Sequence, residues 1–198
     1  MSTDNQYKHR LFALIIIKER KMEIVLIGLL LLAVLGIGLI VFLPNVVRYS
    51  EKIIVNAPIE QVYDNIRFQE RLMSWSAWPE ATGSTCSLEN TDGHVGARTV
   101  FFNKGQRFGH QEIINLDPNQ KVSMTLVNSG PLKHTPYLDF DLRSLSKAQT
   151  EVTLKFVNTY QKPFQVPAKL LGIVKWTRAL QIKDLEGLKS YSELQKAV

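Results

Sequence analysis

The hydropathy pattern is dominated by one apolar stretch near the N-terminus, residues 24–43. It contains no charged residue, no asparagine or glutamine and no proline. In a helix its 20 residues rise about 30 Å, which is the thickness of the hydrocarbon core of a bilayer. A core helix of a soluble domain has a polar face, and this stretch has none. The pattern predicts a transmembrane helix over 24–43, between a polar segment over 1–23 and a folded domain over 46–198.

Beyond this stretch, apolar and polar residues alternate in several segments, as is typical of strands with one buried face. In one segment, Leu138, Phe140 and Leu142 share a face while Asp139 and Asp141 share the other. Turn sequences rich in Gly, Pro, Asn and Asp separate the segments. The alternation predicts an antiparallel sheet of seven strands, at about residues 46–56, 84–90, 96–103, 107–116, 121–128, 136–145 and 151–159.

Helical spacing of apolar residues marks the segments between the first two strands. Ile59, Val62 and Ile66 predict a short amphipathic helix directly after an Ala-Pro turn. A second short helix is expected over 68–73, and the tryptophan-containing run 75–79 is expected to form a loop.

An apolar stripe at helical spacing also extends along the C-terminal segment, from Leu170 through Val174 and Leu180 to Leu188. It predicts one continuous helix over 168–197, about 45 Å long. Such a helix has to bury its stripe, and the open face of the sheet is the surface available. We therefore predict an α+β fold in which a seven-stranded antiparallel sheet wraps around a long C-terminal helix.

Composition excludes several classes of function. The net charge is +6, spread along the chain without a run of five like charges, so nucleic-acid binding is not expected. Cys86 is the only cysteine, which excludes an intrachain disulfide, and the four histidines lack the spacing of metal ligands. Neither a phosphate-binding glycine-rich loop nor a Gly-x-Ser-x-Gly motif occurs. No cofactor or metal is predicted, and no protein partner is identified.

Basic residues beside the apolar stretch predict its orientation. Five Lys/Arg precede it and two, Arg48 and Lys52, follow it closely, so the N-terminus is expected in the cytoplasm and the domain outside it. The stretch is longer than the apolar core of a cleaved signal peptide and lacks a small-residue cleavage pattern. Met22 is an alternative start, and a chain beginning there would lose most of this charge bias.

Local sequences add a family resemblance to this order of elements. The run IIVNAPIEQVY at 53–63 resembles the first strand and Ala-Pro turn of the SRPBCC (START-like, polyketide cyclase/dehydrase) superfamily. WSAW at 75–78 is similar to the tryptophan-serine run after its short helices, and KDLEGLK at 183–189 is similar to the end of its last helix. The resemblance implies the helix-grip fold over residues 46–198. The membrane-anchored layout resembles a bacterial subset of the superfamily, which implies the bacterial inner membrane.

The same resemblance implies an apolar cavity between sheet and helix that holds a hydrophobic or amphipathic small molecule, such as a lipid or a quinone-like compound. Members include lipid carriers, hormone and ubiquinone binders and some cyclases, without a shared catalytic motif. Three hypotheses therefore stay open: a membrane-anchored binding or carrier domain, a cyclase- or dehydratase-like enzyme, and an envelope module that senses or binds another protein.

Strand parity and helical spacing predict which side chains face such a cavity. For each of them taken singly, ordinary core packing is the more common role, and the functional claim concerns the set. The predicted residues are Phe108, Met124, Leu126, Leu138, Phe140, Leu154, Phe156, Leu170, Val174 and Leu180.

His110 and Glu112 are the candidate polar pair of this cavity. They share the parity of Phe108 in the predicted strand 107–116, and a buried His/Glu pair could orient a ligand or act as acid and base. The alternative is a β-bulge that reverses the parity, so that Gln111 and Ile113 face inward instead.

Two further groups each have a functional and a structural interpretation. Trp75 and Trp78 could gate the cavity, or they could fix the short helices onto the sheet. Lys169, Lys175 and Arg178 could contact lipid head groups, or they could form a solvated face of the last helix.

Overall fold

The computed structural model describes residues 3–128, 130 and 134–195 and divides into two compact units, residues 1–43 and 44–198. The first unit is helix α1 (Thr3–Phe42), which includes the apolar stretch. Within it, residues 18–42 are long and apolar enough to cross a membrane. Length and composition alone support this assignment.

The second unit is built on a seven-stranded sheet in which every neighbouring pair is antiparallel. The strands lie in the order β1-β7-β6-β5-β4-β3-β2. Each predicted strand is present, with bounds shifted by a few residues at most. They are β1 (Val46–Val55), β2 (Thr85–Glu89), β3 (Arg98–Asn103), β4 (Gln106–Asp117), β5 (Lys121–Asn128), β6 (His134–Ser146) and β7 (Gln149–Tyr160).

Three short helices connect β1 to β2: α2 (Ile59–Arg67), α3 (Gln69–Trp75) and α4 (Trp78–Thr82). The predicted loop over 75–79 is therefore present only at residues 76 and 77, because Trp75 ends α3 and Trp78 begins α4. Pro79 lies in the first turn of α4, where the fixed φ of proline is compatible with a helix, and Gly83 ends the helix in the left-handed conformation at φ 61°.

The C-terminal segment forms two helices, α5 (Gln165–Leu170) and α6 (Ile173–Leu194). The prediction of one continuous helix over 168–197 is wrong, because Gly172 adopts φ 73° between the two helices and interrupts the helical hydrogen bonds. Residues 196 and 197 of that prediction lie outside the described residues. With 22 residues, α6 is about 33 Å long.

Helices α2, α3 and α6 pack on the concave face of the sheet and close the core with it. Val152, Leu154 and Phe156 alternate inward along β7, and Leu185 and Leu188 of α6 are buried against the sheet. Helix α6 also lies directly on the end of α3, since a Cβ atom on Gly187 would come within 2.2 Å of the Trp75 carbonyl oxygen. The predicted helix-grip arrangement is confirmed.

Candidate functional site

A cavity of about 180 Å³ lies where the first two turns of α6 separate from the sheet. The fully buried positions of α6 begin only at Leu180, so the earlier turns do not fill the space above β4 to β7. The apolar wall comes from strands β3, β4, β5 and β7 and from α6. It includes Phe101, Phe108, Leu126, Phe156, Ile173 and Trp176.

Two aromatic contacts shape this cavity. Trp78 of α4 meets Trp176 of α6 edge to face, with ring centroids 5.5 Å apart and planes at 85°. Trp176 remains 46% exposed, so this pair forms the rim on the solvent side. Opposite it, the Phe101 and Phe108 rings lie 6.0 Å apart on adjacent strands. Phe108 takes this place because it is the extra residue of a bulge between β3 and β4.

The polar corner of the cavity consists of His134, Asn158 and Tyr160 on β6 and β7. The His134 ring stacks on Tyr160 at 5.5 Å between centroids, and Asn128 Nδ2 lies 3.3 Å from His134 Nε2. Burial lowers the pKa of His134, against the opposing effect of Asn158, and burial raises the pKa of Tyr160. Both side chains are therefore uncharged near pH 7, which suits an uncharged ligand.

Gln111 contributes an amide to the wall, and its own hydrogen bonds fix its position. Its Nε2 donates to Gln69 Oε1 at 3.3 Å and lies 3.0 Å from Met124 Sδ. The same Gln69 oxygen accepts a hydrogen bond from the Thr99 hydroxyl at 3.0 Å. This buried network links α3 to β3 and β4 directly behind the cavity.

Asp184 of α6 holds α4 in position at the rim. Its Oδ1 accepts hydrogen bonds from the Ala77 backbone N–H at 2.7 Å and from the Ser76 hydroxyl at 3.1 Å. Burial raises the pKa of Asp184 to about 6, although the hydrogen bonds from Ala77, Ser76 and Trp78 act in the opposite direction. Through this carboxyl group, α6 fixes the turn that carries Trp78.

One family model matches most of this chain. The family model described as Activator of Hsp90 ATPase homolog 1-like protein matches residues 56–182. The chain belongs to this family. The assignment supports the SRPBCC superfamily that the sequence resembles, and no curated protein matches the chain significantly.

Solved structures show the same SRPBCC fold at low sequence identity. A Chromobacterium violaceum protein is 19% identical with a TM-score of 0.51, covering 75% of this chain and 97% of its own. A truncated norcoclaurine synthase from Thalictrum flavum is 12% identical with a TM-score of 0.54, covering 73% and 91%. The di-domain ARO/CYC StfQ from the steffimycin biosynthetic pathway is 12% identical with a TM-score of 0.56, covering 77% and 52%.

The SRPBCC domain brings four of the predicted ligand-binding residues to the cavity: Phe108, His110, Leu126 and Phe156. Others are buried in the core and do not line the cavity. This second group consists of Met124, Leu138, Phe140, Leu154 and Leu180.

Leu170 and Val174 do not take the places predicted for them. Leu170 is 66% exposed at the end of α5, so its predicted orientation toward the sheet is wrong. The interruption at Gly172 is the cause, because it changes the direction of the chain between Leu170 and α6. Val174 is half-buried outside the cavity wall.

The bulge at Phe108 breaks the strand parity on which the prediction for His110 and Glu112 depended. Gln111 and Ile113 face the core, and a second bulge places Ile114 outside the strand pairing. Glu112 Oε2 lies on the outer face, 2.8 Å from Arg98 Nε and 3.6 Å from His110 Nε2. The pair does not enter the cavity together, which contradicts the predicted geometry of an acid–base site.

The partners of the His110 ring also determine its charge. Burial lowers its pKa, and the nearby Arg98 and Arg107 act in the same direction, while Glu112 opposes them. His110 and Gln111 both line the cavity, and the Gln111 side chain is buried on the inner face of β4.

The two predicted gate residues have different environments. Trp75 is a buried core residue whose Nε1 donates to the Asn65 carbonyl at 2.9 Å and whose ring meets Phe140 edge-on at 6.5 Å. Its interpretation as a gate is wrong, and the structural alternative holds. Trp78 lies at the cavity rim, where a gate would be located.

Sequence reasoning missed several residues of the site. His134, Asn158, Ile173, Trp176 and Thr177 line the cavity but were not among the predicted ligand contacts. Asp184 had a signal that was available, since a carboxyl group lies between Leu180 and Leu188 at helical spacing in the apolar stripe.

Proposed function

We propose that this SRPBCC protein is a membrane-anchored binding or carrier domain for a hydrophobic small molecule, and that the ligand occupies the cavity between the sheet and α6. The observation that carries the proposal is the unfilled apolar space at the start of α6. It is bounded by aromatic side chains and by polar groups that are uncharged near neutral pH.

The size of the cavity limits what it holds. At about 180 Å³ it is slightly larger than an apolar protein cavity of about 150 Å³ that binds benzene. One ring, or a short branched apolar group, therefore fits inside. Burying about 150 Å² of apolar ligand surface contributes roughly 4 kcal/mol, which corresponds to a Kd near 1 mM before other terms. Tighter binding needs a longer ligand that continues past the rim at Trp78 and Trp176, as a lipid or a substituted quinone would.

The apolar helix supports the membrane part of the proposal. Residues 18–42 are long and apolar enough to span a bilayer, and the flanking basic residues favour a cytoplasmic N-terminus. We propose a single-pass protein of the bacterial inner membrane with its domain outside the cytoplasm. In spheroplasts, a cysteine introduced at Lys147 in a Cys86→Ser background should react with an impermeant maleimide without permeabilisation. Reaction only after permeabilisation would place the domain in the cytoplasm.

Ligand binding can be tested with a variant that fills the cavity. Thr177 lines the cavity on α6, whereas Ala179 is exposed on the same helix. In the full chain in nanodiscs, a short-chain benzoquinone should quench tryptophan fluorescence saturably. Thr177→Phe should weaken this binding at least about tenfold, a change of about 1.4 kcal/mol. Ala179→Phe, the matched control, should leave it unchanged.

Native mass spectrometry of the purified full chain provides the complementary measurement. We expect a co-purifying small molecule on the unmodified protein and its loss in the Thr177→Phe variant. Equal ligand occupancy in both variants, or none in either, would contradict the location of the site in this cavity.

A second candidate function, an enzyme of the cyclase or lyase type, is favoured by one observation. The cavity contains an uncharged imidazole stacked on a phenol, His134 and Tyr160, and such groups can transfer protons. StfQ and norcoclaurine synthase share the fold of this domain. An enzyme would lose turnover in His134→Gln while ligand binding persists, whereas a carrier would show no chemical change of its bound molecule in either form.

A further inference from the structure

The turn between α5 and α6 exposes large apolar side chains beside lysines. Leu170 is 66% exposed, Leu171 76% and Trp176 46%, and the neighbouring Lys169 and Lys175 extend from the same segment. We call these five residues the α5–α6 surface. Isolated exposed leucines are ordinary on soluble proteins, but a consecutive pair with a tryptophan and lysines is typical of segments that enter a membrane interface.

Packing of α5 from its other side shows that this exposure is fixed by the fold. Gln165 and Ala168 are fully buried, so one face of α5 is anchored in the domain. Gly172 in the left-handed conformation then begins α6, with the Trp176 N–H donating to the Gly172 carbonyl at 2.9 Å. The two leucines are held outward because the helices on either side of them are packed.

The α5–α6 surface lies at the end of the domain where the chain enters it. Lys169 Nζ donates to the Pro44 carbonyl at 2.6 Å, and the Tyr160 N–H donates to the Asn45 carbonyl at 2.9 Å. Residue 44 follows the apolar stretch directly in the sequence. When that stretch spans a bilayer, the chain leaves the bilayer close to residue 44, and Lys169 contacts that residue.

The positive charge of this surface favours a membrane that contains anionic lipids. Lys175 is exposed, and the structure shows no ion pair for it among the described residues. Arg178, one turn further along α6, differs because it pairs with Glu51 and lies over the Tyr49 ring. The ammonium groups of Lys175 and of Lys169, which also donates to the Pro44 carbonyl, complement the negative surface of anionic phospholipids.

We propose that the α5–α6 surface inserts into an anionic phospholipid bilayer, the one that holds the apolar helix. Trp176 belongs both to this surface and to the cavity rim. Ile173, which lies between Leu171 and Trp176 in the sequence, belongs to the cavity wall. Insertion therefore brings the cavity mouth against the lipid, so that an apolar ligand enters without crossing water. The inference rests on the membrane anchoring contained in the proposed function.

The test uses the full chain at one copy per nanodisc, in a Cys86→Ser background. A nitrobenzoxadiazole label is attached at Leu171→Cys or, as the control, at Lys147→Cys in the turn between β6 and β7. The control site lies at the other end of β7, whose 12 residues extend about 36 Å. Discs are made from phosphatidylcholine with or without phosphatidylglycerol, and quenching is measured with aqueous iodide and with spin-labelled lipid.

We expect iodide to quench the Leu171 label roughly five-fold less than the Lys147 label, because an inserted segment lies below the head groups. Spin-labelled lipid should quench only the Leu171 label. In discs with phosphatidylglycerol, Lys175→Gln should expose the Leu171 label further to iodide, whereas Lys183→Gln, an exposed lysine on the same helix, should not.

Equal access of iodide to both labels would overturn the proposal. Shielding of Leu171 that appears only in larger discs loaded with several copies, and not at one copy per disc, would also overturn it and would identify a second copy of the chain as the occupant. A label at Leu30→Cys tests whether the apolar helix spans the bilayer. Quenching of this label by iodide would contradict that assumption.

Failure of ligand binding is seen separately, in the benzoquinone titration of the same discs. A shielded Leu171 label without saturable quenching by the quinone would support the docking surface and contradict the carrier. Saturable quenching by the quinone together with an exposed Leu171 label would support the carrier and contradict the docking surface.

Discussion

Asp184 is a buried carboxyl group whose hydrogen-bond donors belong to the start of α4, and this has a consequence for the response to pH. Its pKa of about 6 in the folded protein exceeds the value of about 3.9 expected in the unfolded chain. Asp184 therefore binds a proton more tightly in the folded protein than in the unfolded chain. By linkage, the contribution of Asp184 to stability falls as pH rises from about 4 to about 6 and stays low above that.

Asp184→Asn should remove this dependence, since asparagine is uncharged and its amide oxygen can still accept from Ala77 and Ser76. Relative to the unmodified protein, we expect the free energy of unfolding of the variant to increase between pH 4.5 and 7.5, by at most about 3 kcal/mol at 1.36 kcal/mol per pKa unit. Urea unfolding at the two pH values measures the difference. If the variant and the unmodified protein differ in free energy of unfolding by the same amount at pH 4.5 and at pH 7.5, ionisation of Asp184 does not destabilise the folded state.

Single residues also explain where the sequence-based site prediction failed. Parity assigns faces only while the strand pairing is regular, and β4 contains bulges at Phe108 and Ile114. Each bulge changes which side chains face inward, so His110 and Glu112 could not be assigned by counting along the strand. Phe156 lies on β7, which pairs without a bulge beside β1, and its inward orientation was predictable from alternation.

At the scale of elements, the contact between α6 and α3 depends on the absence of a side chain at Gly187. An alanine inside an exposed helix stabilises it by about 1 kcal/mol relative to glycine, but here its Cβ would lie 2.2 Å from the Trp75 carbonyl oxygen. We expect Gly187→Ala to lower the free energy of unfolding by about 2 kcal/mol, because the two helices have to separate. Chemical denaturation measures this, and Lys183→Ala on the exposed face should change stability by less than about 0.5 kcal/mol.

Loss of stability in Gly187→Ala should also affect the rim of the cavity, because Trp75 and Trp78 are separated by only two residues. An unchanged or increased stability of the variant would mean that α6 does not lie this close to α3 in solution.

The elements themselves were largely predictable from the sequence, for a physical reason. Strands with one buried face carry their alternation locally, so all seven were identified. The separation of α5 from α6 was not, because Gly172 is one residue in an otherwise continuous apolar stripe and a glycine is tolerated inside many helices. The cavity depends on where α6 leaves the sheet, a relation between elements that periodicity does not contain.

At the scale of the whole molecule, the cavity and the α5–α6 surface share one end of the domain. Tyr160 illustrates the arrangement: its side chain lines the cavity, and its backbone N–H binds Asn45 at the entry of the chain. Under the proposed function, this arrangement would place the ligand site next to the bilayer.

The pairing of β1 has a consequence for biogenesis. β1 is the first element of the domain to be synthesised, and the sheet pairs it only with β7, from Val46↔Thr159 to Val55↔Thr150. About a hundred further residues must therefore leave the ribosome before β1 can pair with β7. Strand pairings so distant in sequence form slowly. If the domain is exported as proposed, β1 stays unpaired until β7 has been translocated, so the nascent protein should depend on a holding chaperone until then.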